Sequence, residues 1–268
     1  VHIQLIAKRE VKVGFRNPWS YSFLALFTLF SLGLLVIQSQ SYMDGYTYST
    51  GTMLNLILYL LPLMTMLLSS FSLTAEKEEG NWQLLSTYAM TTTSFLFGKY
   101  VGQAIVLITI VCFGYGLSGV AGVLLGKSFS ITALLFLLGF SVCIILLFLG
   151  IAIVIGAVSK NRWQALTMGI AVWFFLILAW PTLLISFLSF VPYTWIKPLL
   201  QIASFLNPAE FVRIFSVARL GGGSIFGPEY YKWMYWIDSP LGDVLFVALS
   251  LGWIGLTMFI AITAWERR

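Results

Sequence analysis

Charge is scarce in this sequence. Asp, Glu, Lys and Arg make up 9% of its 268 residues, while 59% are hydrophobic; soluble domains carry about 25% charged residues. A soluble fold of this length has nowhere to bury so much apolar surface, so lipid is the expected solvent. Histidine is scarcer still: His2 stands alone, and Cys112 and Cys143 are the two cysteines. One histidine near a chain end and two cysteines inside apolar runs make neither a zinc site nor a disulfide framework, so no metal ligands are assigned. Eight methionines are scattered along the chain. Thioethers suit Cu(I), but methionine more often fills gaps in packed cores.

Long apolar runs stand where charge is missing. A helix that crosses a bilayer needs about 20 mostly apolar residues, and six runs qualify: residues 21–40, 52–75, 100–126, 129–158, 164–192 and 244–265. A transmembrane barrel would alternate apolar and polar residues in segments of about ten, and no such alternation is visible. The expected fold is therefore an all-α membrane protein, a single transmembrane domain over residues 1–268. Pro62 and Pro181 fall inside spans and are expected to kink them. No Asp, Glu, Lys, Arg or His lies well inside any of the six. Ion-coupled carriers and proton relays keep ionisable groups there, so a gradient through this chain is a poor energy source. The loops hold no visible constellation of nucleophile and base, and the chain is read as non-catalytic.

Orientation follows from the basic residues of the loops. With the N-terminus inside, Lys8, Arg9, Lys12, Arg16, Lys77, Lys99, Lys160, Arg162, Arg267 and Arg268 are inner, against Lys127, Lys197, Arg213, Arg219 and Lys232 outside. The expectation is N-in and C-in, in the cell membrane. The net charge of +5 is then a topology signal rather than a nucleic-acid footprint. Val1 stands where an initiator Met is expected, which implies a chain trimmed at its start. The opening residues lack the short apolar core and cleavage site of a secretory signal.

Residues 1–18 read as an interfacial helix, with Lys8, Lys12 and Arg16 on one face and Ile3, Ile6 and Val13 elsewhere. A solvated flank of the first span is the plainer alternative. Asn17-Pro18 ends the helix. Between the second and third spans lies a charged island, Glu76-Lys77-Glu78-Glu79-Gly80, which in a membrane protein is expected to sit in water. It opens an inner segment, residues 76–97, in which Trp82, Leu85 and Ala89 share a helical face with Leu84 and Tyr88 beside them. Thr91-Thr92-Thr93-Ser94 offers N-caps for the next helix, and Lys99 is expected to mark the membrane surface. The segment reads either as a docking surface for a soluble partner or as ordinary loop charge. Across the membrane, residues 193–243 form the largest outer loop. Asn207-Pro208 there starts a helix carrying Phe211, Ile214, Phe215 and Ala218, and Gly221-Gly222-Gly223 ends it. The following tract from Pro228 to Trp236, with Tyr230 and Trp233, reads as an interfacial aromatic belt or as a contact surface for an outer partner.

Two tempting motifs fail on context. Ala121-Gly122-Val123-Leu124-Leu125-Gly126-Lys127-Ser128 fits a relaxed phosphate-binding loop, and Gly114-Tyr115-Gly116-Leu117-Ser118-Gly119 fits the dinucleotide fingerprint. Both need a preceding strand, and both lie in an apolar span. Helix packing is the better account, with Ser118/Gly122 and Gly98/Gly102 as small-residue pairs.

Six spans, an amphipathic entry helix and an acidic inner loop resemble the type-2, exporter-like ABC transporter permeases. The stretch Glu76-Lys77-Glu78-Glu79-Gly80-Asn81-Trp82-Gln83-Leu84-Leu85-Ser86-Thr87-Tyr88, closing with Phe97-Gly98-Lys99-Tyr100-Val101-Gly102, looks like their coupling-helix region. Ala89 departs from relatives that place proline after the tyrosine. Ala7-Lys8-Arg9-Glu10, Arg16-Asn17-Pro18-Trp19 and Asn207-Pro208-Ala209-Glu210-Phe211-Val212-Arg213-Ile214 are similar to the subfamily of NosY-type permeases of nitrous-oxide-reductase maturation. The resemblance implies a homodimer, two cytoplasmic ABC ATPase subunits that bind ATP and Mg, and an extracytoplasmic β-helix protein of the NosD type. It also implies a role in assembling the copper sites of nitrous oxide reductase, with no cofactor on this chain. Glu76, Glu78, Glu79, Gly80, Trp82, Leu85 and Tyr88 would then couple to the ATPase. Burial of Trp82 and Leu85 would contribute roughly 1.5–3 kcal/mol each, and the glutamates would set register. Asn207, Phe211, Arg213, Tyr230 and Trp233 would meet the outer partner. A generic exporter of lipid, peptide or drug is the alternative within the family; a stand-alone membrane enzyme or carrier is the alternative outside it.

Overall fold

A computed structural model describes residues 2–38, 48–80, 91–126, 131–222, 237 and 239–267. All regular elements among the described residues are helical. Six segments are long and apolar enough to cross a membrane: Pro18–Ile37, Tyr48–Glu78, Thr92–Leu124, Ile131–Val158, Arg162–Leu188 and Pro240–Glu266. The expected number and kind of spans are therefore present, with shifted ends. Asn17 is one reason for the shift. Its side chain accepts a hydrogen bond from the Trp19 N–H at 3.1 Å, so Asn17-Pro18 ends α1 (His2–Gly14) and at once begins α2 (Pro18–Gln38).

The second span, α3, runs Tyr48–Glu78, 31 residues, or about 46 Å at 1.5 Å per residue. That exceeds a hydrocarbon core of about 30 Å, so the charged residues expected in a loop are still helical. The third span, α4 (Thr92–Leu124), begins at the predicted cap, with the Ser94 N–H donating to Thr91 Oγ1 at 3.3 Å. The fourth, α5 (Ile131–Val158), is the hub. Its Ile144, Phe148, Leu149 and Ala152 are wholly buried, and α3, α4 and α10 (Pro240–Glu266) pack around it.

The fifth span is built from α6 (Arg162–Trp173), a π-helical turn (Phe174–Ala179) and α7 (Trp180–Leu188). Pro181 explains the π turn. In this register the Trp180 N–H donates to the Phe175 carbonyl five residues back. The next such bond, to Leu176, would need the N–H that Pro181 lacks. Asn207 supplies the donor instead, Nδ2 lying 2.6 Å from the Leu176 carbonyl. Of the fifth span's apolar window 6% is buried, and of the sixth's 17%, against 61% for α3 and α5. These two spans lie at the periphery of the chain.

Among the described residues, two helices lie between the last spans: α8 (Tyr193–Leu206) and α9 (Pro208–Arg219). The start of α9 matches the prediction, with Asn207 Oδ1 accepting the Ala209 N–H at 2.9 Å. Its end falls at Gly221, whose φ of +79° favours glycine. Its placement differs from expectation. Ala209, Phe211, Val212, Ile214 and Val217 are buried, with α5, α8 and α10 against them, and Phe246 of α10 stacks on Phe211 and Phe215 at 5.0 and 4.0 Å. The helix belongs to the packed body of the protein because eight of its twelve residues are apolar and neighbouring spans offer them a dry face.

Candidate functional site

Helix α1 positions the site. Its Ile6, Ala7, Glu10 and Gly14 face α4 and are buried, while Lys8 and Lys12 are exposed. The close approach needs the small pair Gly98/Gly102. A Cβ on Gly98 would fall 2.6 Å from Ile6 Cβ, and one on Gly102 would fall 2.9 Å from the Ala7 carbonyl oxygen. This close packing draws Glu10 into the protein. There it meets Lys99 at 2.8 Å, and Lys99 also meets Glu76 at 3.2 Å. Arg9 closes the set at 2.9 Å from Glu76. Lys99 Nζ donates to Ser72 Oγ at 2.9 Å, and both Ser72 Oγ and Gln103 Nε2 donate to Glu10 Oε1.

Burial pushes the Glu10 carboxyl up. The Lys99 charge, together with hydrogen bonds from Lys99, Ser72 and Gln103, outweighs that and holds it below the ordinary glutamate range. Lys99, at the border of an apolar run in the sequence, is enclosed by protein: it is 2% exposed, because α1 lies across that side of α4.

The charged island is correspondingly rebuilt. Glu76, expected in water, is 6% exposed and turned toward α1 and α4. Lys77 points the other way. Its Nζ donates to the carbonyls of Gly156, Ala157 and Ser159 at 2.8, 2.6 and 2.9 Å and lies 4.5 Å from the Trp265 ring centroid. A cation here satisfies the orphan carbonyls and the negative end of α5. Glu78 and Glu79 hold Arg162 at 2.9 and 3.1 Å. The Arg162 backbone N–H also donates to Glu78 Oε1 at 2.8 Å, placing a carboxylate at the positive end of α6. Asn161 caps the same helix through the Gln164 N–H at 2.8 Å. Gly80, with φ +70°, turns the chain off α3.

Four consecutive side chains at the end of α3 therefore tie together α1 and α4 (Glu76), α5 and α10 (Lys77), and α6 (Glu78 and Glu79). Residues 81–90 follow directly. Trp82, Leu85 and Tyr88 lie outside the described residues, as do Tyr230 and Trp233. Of the outer-contact candidates, Asn207 is fully buried and Phe211 is 4% exposed. The first is occupied by the Leu176 carbonyl and the second by Phe246, so neither offers surface to a partner. Arg213 is half-buried and paired with Glu210 at 2.6 Å.

Sequence reading missed Glu10, Ser72, Lys99 and Gln103 as a group. The signal was present but thin: Glu10 is the acid on the arc that carries Ile3 and Ile6, and Lys99/Gln103 and Ser72/Glu76 are i,i+4 pairs. Chemically, the carboxylates and ammonium groups of the junction bind one another and helix ends. The arrangement joins α1, α3, α4, α5, α6 and α10 through ion pairs, hydrogen bonds and the contact of Lys77 with the Trp265 ring.

A bundle of six membrane-length helices, pinned at one end by buried ion pairs that hang on one helix terminus, defines a multi-pass membrane subunit. Comparison with known sequences makes this specific. The chain belongs to the ABC-2 family of transporter proteins, whose sequence pattern matches residues 4–268. It is similar to the "probable ABC transporter permease protein NosY" of Stutzerimonas stutzeri, 27% identical over 98% of this chain and 97% of that protein. It is also similar to the protein of the same description from Pseudomonas aeruginosa, 25% identical over the same shares. It is a permease subunit of an ABC transporter in the cell membrane.

Proposed function

We propose that this permease converts ATP hydrolysis on a partner into movement of its spans through the α3 terminus. The observation that supports the reading is the junction of Glu76, Lys77, Glu78 and Glu79, from which one displacement reaches α1, α4, α5, α6 and α10. Residues 81–90, which follow that junction in the sequence, carry Trp82, Leu85 and Tyr88 as the foot that an ATPase would grip. In this reading the subunit is a homodimer with two cytoplasmic ABC ATPases, which hold ATP and Mg, and the α3 terminus faces the cytosol. The similarity to two NosY-described permeases over nearly the whole chain supports a role in copper-site maturation of nitrous oxide reductase. There the movement would deliver a solute, or force on an extracytoplasmic β-helix protein of the NosD type.

The test has two arms. Replacing Trp82 and Leu85 with alanine is expected to abolish ATPase copurification and stimulated turnover; retention of both would refute the docking. Deleting the gene in its host is expected to leave nitrous oxide reductase without its copper absorption bands. An enzyme with intact bands would remove the maturation role while leaving the coupling in place.

A further inference from the structure

A groove of about 810 Å³ opens between α1, α2, α3 and α6, with Gln103 of α4 also in its lining. Its ionisable lining is balanced, with Arg9, Arg16 and Arg162 against Glu10, Glu76 and Glu79. Charge balance suits a zwitterion better than an ion of either sign. Glu76 and Gln103 line it, are 6% and 3% exposed, and each keeps one side-chain oxygen, Oε2 and Oε1 respectively, without a hydrogen-bond partner. Buried acceptors of this kind call for a donor. Gln103 Nε2 is committed to Glu10, which leaves its carbonyl as the free end. Arg16 is exposed and has no ion-pair partner among the described residues; its planar fork matches a phosphate.

The remaining walls are apolar. Trp19 packs edge-on against Phe71, with centroids 6.0 Å apart, and Leu67 lies in the same wall. Trp19 and Trp163 are 55% and 78% exposed, as indoles at a headgroup boundary are. We propose that this groove binds a phospholipid with a primary-ammonium headgroup, phosphatidylethanolamine, with the ammonium on Glu76 Oε2 and Gln103 Oε1, the phosphate on Arg16, and the acyl chains along Trp19 and Phe71. A primary ammonium offers three N–H donors, and the quaternary ammonium of choline offers none. The site therefore distinguishes two headgroups of identical net charge. The lipid would wedge α1 against α2 and α3 and stiffen the junction.

The full-length chain, solubilised in detergent, is titrated with phosphatidylethanolamine, with phosphatidylcholine of matched acyl chains, and with soluble glycerophosphoethanolamine, and bound ligand is counted by native mass spectrometry. Phosphatidylethanolamine is expected to bind about tenfold more tightly than phosphatidylcholine, the worth of one hydrogen bond to a charged group. Arg16→Ala at the mouth, and Ala75→Phe, which fills the wall, are each expected to weaken both lipids about equally, since phosphate and acyl chains are common to the two, while leaving the melting temperature unchanged. Equal binding of the two lipids by the unaltered chain, binding of neither, or phosphatidylethanolamine binding that survives both substitutions would overturn the proposal, leaving a groove that holds water or is covered by a second copy. Glycerophosphoethanolamine binding as tight as the lipid would also overturn it, by assigning the site to a soluble amine.

Discussion

Lys99 illustrates how one residue's meaning depends on what packs over it. On the chain it borders an apolar run; in the fold it is enclosed by Glu10, Glu76 and Ser72. Removing one partner of a buried pair costs about 3–5 kcal/mol, because the other charge stays behind undischarged. Lys99→Met is expected to lose that much in a denaturant titration of the detergent-solubilised protein. Glu10→Gln added to it should cost less than the sum of the two single changes, since the partners share one interaction. Glu10 also sets an acid limit. A carboxyl held lower in the folded chain than in the unfolded one stabilises the fold at neutral pH, and this contribution drains away as pH falls through the folded value. Acidification below about 4.5, the ordinary glutamate value, should therefore loosen α1, seen as lower amide protection over His2–Gly14 relative to the intrinsic exchange rate at each pH. Glu10→Gln should abolish the pH step. Protection in α1 that stays constant on acidification would contradict the account.

Elements here are fitted to one another through backbone groups that their own sequences leave unsatisfied. The π turn leaves the Leu176 carbonyl without a donor because of Pro181, and Asn207, 31 residues later, provides one. Leaving that carbonyl bare should cost about 1–3 kcal/mol, so Asn207→Leu is expected to lower the thermal midpoint. Pro181→Ala should recover part of the loss by restoring an N–H to the span. A loss of equal size in both backgrounds would detach the asparagine from the π turn. The same residue shows what was legible and what was not. That Asn207-Pro208 begins a helix was readable, since capping is a local property. That the helix turns its Phe211 face into the bundle was not, because an apolar face says only that something covers it.

At the scale of the whole molecule, residues 76–79 connect five helices outside their own, so coupling can be separated from docking. Lys77→Met removes the tie to α5 and α10 without touching Trp82 or Leu85. It is expected to keep ATPase copurification while turnover no longer responds to the permease; if stimulation stays normal, force reaches α5 by another route. The apolar runs, their number, the scarcity of charge and the caps at Thr91 and Asn207 were written in the linear chain, because lipid solvation and helix capping act within a few residues. The pairing of Glu10 with Lys99, the turning of Glu76 inward and the seating of Lys77 on the end of α5 were written nowhere in it. The contacts of Glu10 with Lys99 and of Arg9 with Glu76 join residues 89 and 67 positions apart and exist only once the Gly98/Gly102 surface lets α1 come close; the seat of Lys77 joins residues 79 to 82 apart. A charge beside an apolar run is equally at home in water or in an ion pair, and the packing of the helices chooses between the two.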